Sequence, residues 1–423
     1  MIPHLLLIVL HVISLGTISS ACTRAVLYSV TPSSDEQVGY LRMLEKTNEA
    51  MDFWVLTSWT GEEAHVLVPA GEDARFKSDL KQRGIKPTVR NSNITTCGNS
   101  NNNSSNTRSE RNAAYSSKPG TLDFTSRYLN HADINRFIDY LGKKYPDLVT
   151  VTTIGHSYER RPMRTVTISS GKPSKTMIID AGIHGREWIA PATALYLMSQ
   201  LVQNSNRHGE LLANITWIIL PLVNPDGYEF SLNSNKFWRK TRRPAKRCVG
   251  TDANRNFSFH WGEKGASRQE CSQTFAGPKP FSEPETQALR NLLLSKGNIT
   301  SFYLTLHSYG RFLLYPWGHK KDLPRKWRLL DAVARAGAVA MKRNHNVSYR
   351  VGGAAKLLYE ASGGSDDYAL AVARIPVSIT MELPAGGSGE SGFHPPESQI
   401  SRLVEEAFTG IRAMALKMVQ MDV

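Results

Sequence analysis

The order of apolar and polar positions divides the chain into distinct stretches. A short apolar run, Leu5-Leu6-Leu7-Ile8-Val9-Leu10, gives way to small residues up to Ser19-Ser20-Ala21. That is the layout of a secretory signal peptide, residues 1–21, cleaved after Ala21. The run is short for a membrane span. Strand-like runs follow at 25–31, 53–58, 65–68 and 85–89, with helical patterns at 34–46 and 70–81. Ser34 opens the first helix, with Glu36 and Gln37 in its first turn, and Thr60-Gly61-Glu62 turns the second strand into the third. The β-α-β-β-α-β order predicts a small ferredoxin-like open sandwich over residues 22–90. Residues 91–118 break the pattern: Asn and Ser dominate, as in Asn99-Ser100-Asn101-Asn102-Asn103-Ser104-Ser105-Asn106. With almost nothing to bury, this segment is expected to be a flexible linker. Arg108 and Arg111 near its end are the kind of exposed basic site that a trypsin-like protease cuts.

From 119 to 423 the pattern changes scale. Apolar strands at 149–154, 165–169, 176–181, 216–220, 302–306 and 377–381 alternate with helices at 132–141, from about 187 to 201, at 283–294 and at 325–343. This predicts an α/β domain with a mixed, mostly parallel sheet and helices on both faces. At 423 residues the chain exceeds one ordinary domain, and 41% hydrophobic content is ample for a core. The formal charge of +14 would suit an acidic polymer or a membrane surface. The basic residues are dispersed, however, and no block resembles a nucleic-acid module. A solvated basic surface is the expectation, with neither nucleic acid nor membrane as partner. Sequons at Asn93, Asn102, Asn103, Asn214, Asn298 and Asn346 would suit a secreted glycoprotein.

The chemistry concentrates at His184-Gly185-Arg186-Glu187 and at His307. His184 and Glu187 follow the strand Thr176-Met177-Ile178-Ile179-Asp180-Ala181. His307 ends the run Phe302-Tyr303-Leu304-Thr305-Leu306. Both sites fall at the C-terminal edge of strands, where open α/β sheets build their sites. Two imidazoles and one carboxylate make a three-ligand zinc site whose fourth position is left to water, the arrangement that marks catalytic zinc. A lone HxxE pattern is weak.

Read with their neighbours, these motifs resemble the funnelin, or M14, family of zinc metallocarboxypeptidases. The chain carries, in order, Ala181-Gly182-Ile183-His184-Gly185-Arg186-Glu187-Trp188-Ile189, Asn224-Pro225-Asp226-Gly227-Tyr228 and Phe237-Trp238-Arg239-Lys240. Asp252-Ala253-Asn254-Arg255-Asn256, Leu306-His307-Ser308-Tyr309, Tyr359-Glu360-Ala361-Ser362-Gly363-Gly364-Ser365-Asp366-Asp367 and Met381-Glu382-Leu383 complete the series. The blocks span about Tyr115 to the C-terminus. The resemblance implies a twisted eight-stranded sheet, one Zn2+ on His184, Glu187 and His307, a disulfide between Cys248 and Cys271, and an activation propeptide at 22–90. Cys22 and Cys97 remain, and whether they pair is open. A further sequon, Asn256-Phe257-Ser258, lies inside the active-site series, where a glycan would obstruct.

The resemblance also distributes roles. Glu382 stands where the general base stands, and Arg239 where a fixed cation meets the developing oxyanion. Asn254 and Arg255 correspond to the clamp on the substrate's terminal carboxylate, a task suited to the planar guanidinium fork. Tyr359 matches a mobile tyrosine that closes over that end. Arg186 and Tyr309 fall among the substrate-binding positions, and Asp252 is a candidate to orient His184. Asp366 aligns with the floor of the pocket for the terminal side chain, where aspartate marks the B type. Burying a carboxylate there is costly unless a cation meets it, as terminal Lys or Arg would. Gly318 and Ala354 align with small pocket walls. One departure is the stretch Leu383-Pro384-Ala385-Gly386-Gly387-Ser388-Gly389-Glu390-Ser391, longer and richer in glycine than the vertebrate pattern, with Pro384 where an arginine is common.

The expectation is therefore a secreted, monomeric zinc procarboxypeptidase acting on peptide and protein C-termini. Its own propeptide inhibits it, a trypsin-like protease activates it, and it prefers terminal Lys or Arg. Two readings stay beside it: an A-type enzyme releasing apolar residues, and a non-catalytic binder of peptide C-termini. An intact metal triad and Glu382 weigh against the second.

Overall fold

Two sheets organise the protein in a computed structural model that describes residues 22–97, 123–171, 173–386 and 392–421. The expected signal peptide, the cleavage sites Arg108 and Arg111, the sequons at Asn102 and Asn103, and residues 387–391 of the glycine-rich stretch lie outside the described residues.

The first sheet is antiparallel, in the order β2-β3-β1-β4, built from β1 (Cys22–Val30), β2 (Asp52–Val55), β3 (Ala64–Pro69) and β4 (Thr88–Cys97). Its helices are Asp35–Thr47 and Ala70–Gln82. Ser34 caps the first, its hydroxyl accepting from Gln37 N at 3.3 Å. Tyr28, Leu41, Val66, Phe76 and Leu80 fill the space between helices and sheet. The expected last strand, 85–89, is corrected: it starts at Thr88 and runs to Cys97, so residues 91–97, read as the start of the linker, pair with β1. Backbone pairing won over composition there, because a polar strand is satisfied when one face stays wet. The register sets Cys22 opposite Cys97.

The second sheet has eight strands in the order β11-β10-β12-β9-β7-β8-β6-β5. They are β5 (Val149–His156), β6 (Pro162–Ile168), β7 (Lys175–Ala181), β8 (Ile215–Leu220), β9 (Phe302–Ser308), β10 (Phe312–Tyr315), β11 (Arg350–Gly353) and β12 (Val377–Leu383). β12, β9, β7 and β8 run parallel at the centre; β10 and β6 join them antiparallel. Every residue of β9 is buried, as expected of a strand covered on both faces. Along β7, Met177, Ile179 and Ala181 face the helices His131–Lys144, Ile189–Gln203, Trp327–His345 and Ile400–Gln420, whereas Ile178 faces Pro284–Lys296 and Ser365–Ala371. The helix expected from about 187 begins two residues later, at Ile189, which leaves Glu187 in the turn before it.

A disulfide joins Cys248 to Cys271 across a sequence separation of 23. It closes the loop that carries Asp252, Asn254 and Arg255. In the chain-entropy view a closure of this length contributes about 3.5 kcal/mol. Replacing both cysteines by serine should lower unfolding free energy by roughly 2–4 kcal/mol, read from denaturant melts. A change within experimental error would show that the loop is held by its other contacts alone.

Candidate functional site

The site is built where β7 ends. The chain turns at Gly182 with φ +65°, where a Cβ would come within 2.6 Å of Leu222. At Gly185 an added Cβ would sit 2.4 Å from the carbonyl oxygen of Gly227, so only glycine lets this turn press on the neighbouring backbone. Asn224 brackets it: its Nδ2 donates to the carbonyls of Ile183 and Lys240, at 3.3 and 3.0 Å. Gly185 N donates to Arg239 O at 3.0 Å. The segment carrying His184 and Glu187 and the segment carrying Arg239 are thereby one unit.

His184 Nδ1 lies 2.7 Å from one Glu187 carboxylate oxygen and His307 Nδ1 lies 3.1 Å from the other. All three residues are buried, and their ligand atoms lie within 4.8 Å of one another. Two imidazoles and a carboxylate that converge beside an open cavity suit zinc with a free coordination position. On the far side of His184, Nε2 meets Asp252 Oδ1 at 3.1 Å. The other oxygen of Asp252 accepts from Arg239 Nε and Nη2 at 3.0 and 2.9 Å. Burial alone would raise the Asp252 carboxyl, yet Arg239, Arg255 and His184 hold it well below its usual range.

Glu382 reaches the same cavity by strand register. It sits directly opposite His307 on the parallel pair β12 and β9. Burial pushes its carboxyl up to about 7, although His307, Arg239 and Arg255 pull the other way. Asn254 and Arg255 follow Asp252 in one tight turn, where Asp252 Oδ1 accepts from Asn254 N at 3.0 Å. Arg255 is oriented by bonds from Nε to Gly265 O (2.8 Å) and from Nη1 to Asn254 O (2.9 Å). Arg239, Asn254, Arg255, Tyr309, Tyr359 and Asp366 all line the cavity with the triad and Glu382. Arg186, by contrast, is turned toward the ferredoxin-like domain and does not line that cavity.

Among the residues lining the cavity, Asp366 is buried, receiving a hydrogen bond from the Thr380 hydroxyl at 3.2 Å. Burial and the neighbouring Asp367 push its carboxyl up to about 6. Among the described residues no Lys, Arg or His forms an ion pair with it. Gly318 and Ala354 line the same space. Two nearby acids are already engaged. Asp367 accepts from Gly318 N, His319 N and His319 Nδ1 at 2.8, 3.0 and 2.7 Å, and Glu360 accepts from Lys264 at 2.8 Å.

Sequence reasoning missed the groups that close the site. Asp52 of β2 is paired with Arg186, and Trp54 Nε1 donates to the same carboxylate at 3.0 Å. Trp54 packs on Phe237 and Phe393. His65 Nδ1 is 2.9 Å from the Tyr309 hydroxyl, and Tyr359 packs against the small domain's core. The available signal was an acid, Asp52, at the head of an otherwise apolar strand; nothing local says what it meets.

Comparison with known proteins agrees with this geometry. Residues 134–410 match the family described as zinc carboxypeptidase, and residues 28–96 match the carboxypeptidase activation peptide. The chain is 40% identical over 298 residues to carboxypeptidase B of Astacus astacus, covering 70% of this chain and 97% of that one. It is 34% identical over 391 residues to carboxypeptidase A2 of Rattus norvegicus, covering 91% of each. The crystal structure of carboxypeptidase A from Helicoverpa armigera superposes with a TM-score of 0.84 at 30% identity, over 95% of this chain and 98% of that one.

Asp252→Asn keeps the shape of the buried side chain and removes its charge. Zinc affinity, measured by chelator competition, should fall roughly 10- to 100-fold, the usual effect of losing an outer partner of a metal-bound imidazole. Unchanged affinity would mean that His184 needs no such partner.

Proposed function

Because this chain belongs to the M14 zinc carboxypeptidases and carries their activation peptide, we propose that it is a secreted precursor whose cut form releases C-terminal Lys and Arg. The observation that carries the preference is Asp366, a buried carboxylate lining the cavity without an ion-pair partner among the described residues. An uncompensated buried carboxylate is costly, and a terminal guanidinium or ammonium offsets that cost on binding. Gly318 and Ala354 leave room for the long side chain. Relatives of both the B and the A type are similar to this chain, so the residues of the pocket, rather than kinship, support the choice.

The reaction follows from the placement of the groups. Zinc held by His184, Glu187 and His307 would supply a Lewis acid for the scissile carbonyl and ease ionisation of the attacking water. Glu382 takes that proton and returns it to the leaving amine. A carboxyl pushed toward 7 by burial is matched to both halves of the transfer. Arg239, fixed by Asp252, offers a positive charge to the developing oxyanion. Arg255 and Asn254 grip the terminal carboxylate and Tyr359 closes over it, which restricts attack to chain ends. In the uncut chain the small domain engages residues beside these groups: Asp52 neutralises Arg186, and His65 occupies Tyr309. A trypsin-like cut near Arg108 or Arg111 would free them, and a monomer suffices, because every group named lies on one chain.

Trypsin-treated protein should hydrolyse an Arg-ended peptide far faster than its Phe-ended match. Asp366→Ile should lower kcat/KM for Arg at least tenfold, since removing one side of a buried charge pair costs about 2–5 kcal/mol, and should raise it for Phe. The wild type should also show a rising KM for Arg as pH falls through about 6, because Asp366 must be ionised to hold a cation. Arg preference retained in the variant would exclude Asp366 as the reader.

The uncut chain should be nearly inactive. Asp52→Ala should raise its activity by roughly tenfold or more, because the interface loses a partly buried ion pair worth on the order of 2–5 kcal/mol. Full activity in uncut wild-type protein would contradict the role given to the small domain.

A further inference from the structure

We propose that Asn298 carries an N-linked oligosaccharide that covers an apolar patch at the end of the sheet opposite the catalytic cavity. The inference rests on the secretion reading. Asn298-Ile299-Thr300 is a glycosylation sequon, and Asn298 is exposed in the short turn Gly297–Ile299 between the helix Pro284–Lys296 and β9. Around it, Leu294, Ile299 and Val372 are 48%, 55% and 40% exposed, and they border one surface depression with Asn298. Only eight large hydrophobic side chains are exposed among the described residues, so three at one place form a patch rather than scatter. Clustered apolar side chains, unlike singly scattered ones, mark a surface that a partner or a modification can cover. A sugar chain rooted in the patch can cover it, because the C–H faces of its rings pack on aliphatic side chains while its hydroxyls stay in water.

Position supports the choice. Asn298 precedes the start of β9, whereas His307 lies near its other end, roughly 17 Å along the strand at about 3.3 Å per residue. A glycan there leaves the cavity open. The structure discriminates among sequons. Asn256 is fully buried and its Nδ2 donates to Ala276 O, Lys279 O and Ser282 Oγ at 2.7, 3.0 and 3.0 Å, so the folded protein has no space for a sugar. Asn214 has its Nδ2 on Glu210 O at 2.7 Å. In the transfer, the Asn298 amide nitrogen forms a bond to the anomeric carbon of a lipid-diphosphate-linked oligosaccharide. The carbon–oxygen bond to the diphosphate breaks, and the lipid diphosphate leaves with the electron pair as the amide gives up a proton. Thr300 is buried in the folded chain, its hydroxyl bonded to Lys296 O at 2.7 Å, so the transfer precedes folding of this turn.

The test is the full chain expressed in insect cells, with the medium and cells analysed separately. Glycopeptide mass spectrometry of protein from the medium should find Asn298 largely occupied and Asn256 bare. Asn298→Gln should leave activity after trypsin treatment unchanged but increase aggregation and binding of an apolar dye several-fold. Adding Ile299→Ser to that variant should reverse much of the change. Protein in the medium with unmodified Asn298 overturns the proposal while secretion stands. Protein confined to the cytosol overturns both readings. An occupied Asn298 whose loss changes neither aggregation nor dye binding overturns the covering role.

Discussion

One buried carboxylate, Asp252, is the constraint on which the site depends. It is fully buried and meets a metal-binding imidazole, a guanidinium facing the cavity and the backbone N–H that opens the Asn254–Arg255 turn. A charge in that position is stable only because each of its oxygens has a donor; removing one partner of such a set typically costs about 3–5 kcal/mol. The disulfide between Cys248 and Cys271 closes the loop that bears it, and Asn224 holds the turn of His184 against the backbone of Lys240. His184, Arg239, Asn254 and Arg255 are therefore fixed relative to one another by a few buried polar contacts rather than by packing alone.

The sheet supplies the rest. Parallel register sets Glu382 beside His307, so a buried-cavity carboxylate and a candidate metal ligand arrive together from strands far apart in sequence. The same strand β12 brings Thr380 against Asp366. These positions sit on strands buried on both faces, whereas Tyr359 sits on a loop.

The small domain meets the mouth with polar groups backed by aromatic ones. Asp52 reaches Arg186 while Trp54, which orients Asp52, packs between Phe237 and Phe393. Such a surface binds firmly when it is tethered and weakly once it is free, because effective concentration vanishes with the tether.

By itself the sequence determined the two-part α/β organisation, most strand and helix centres, the metal triad and the approximate place of Glu382. Those features are written in local periodicity and in short blocks whose residue types have few other uses. It misread the fourth strand of the small domain, where pairing with β1 outweighed a polar composition, and it began one helix two residues early, beside Glu187. Only the tertiary structure decided that Asp52, Trp54 and His65 meet Arg186, Phe237 and Tyr309, that Asp367 and Glu360 are engaged elsewhere, and that Asp366 has no ion-pair partner among the described residues. These are facts about which charge faces which. A chain can state that it carries an aspartate, but the partner is chosen by contacts between residues tens to hundreds of positions apart, and no local pattern records them.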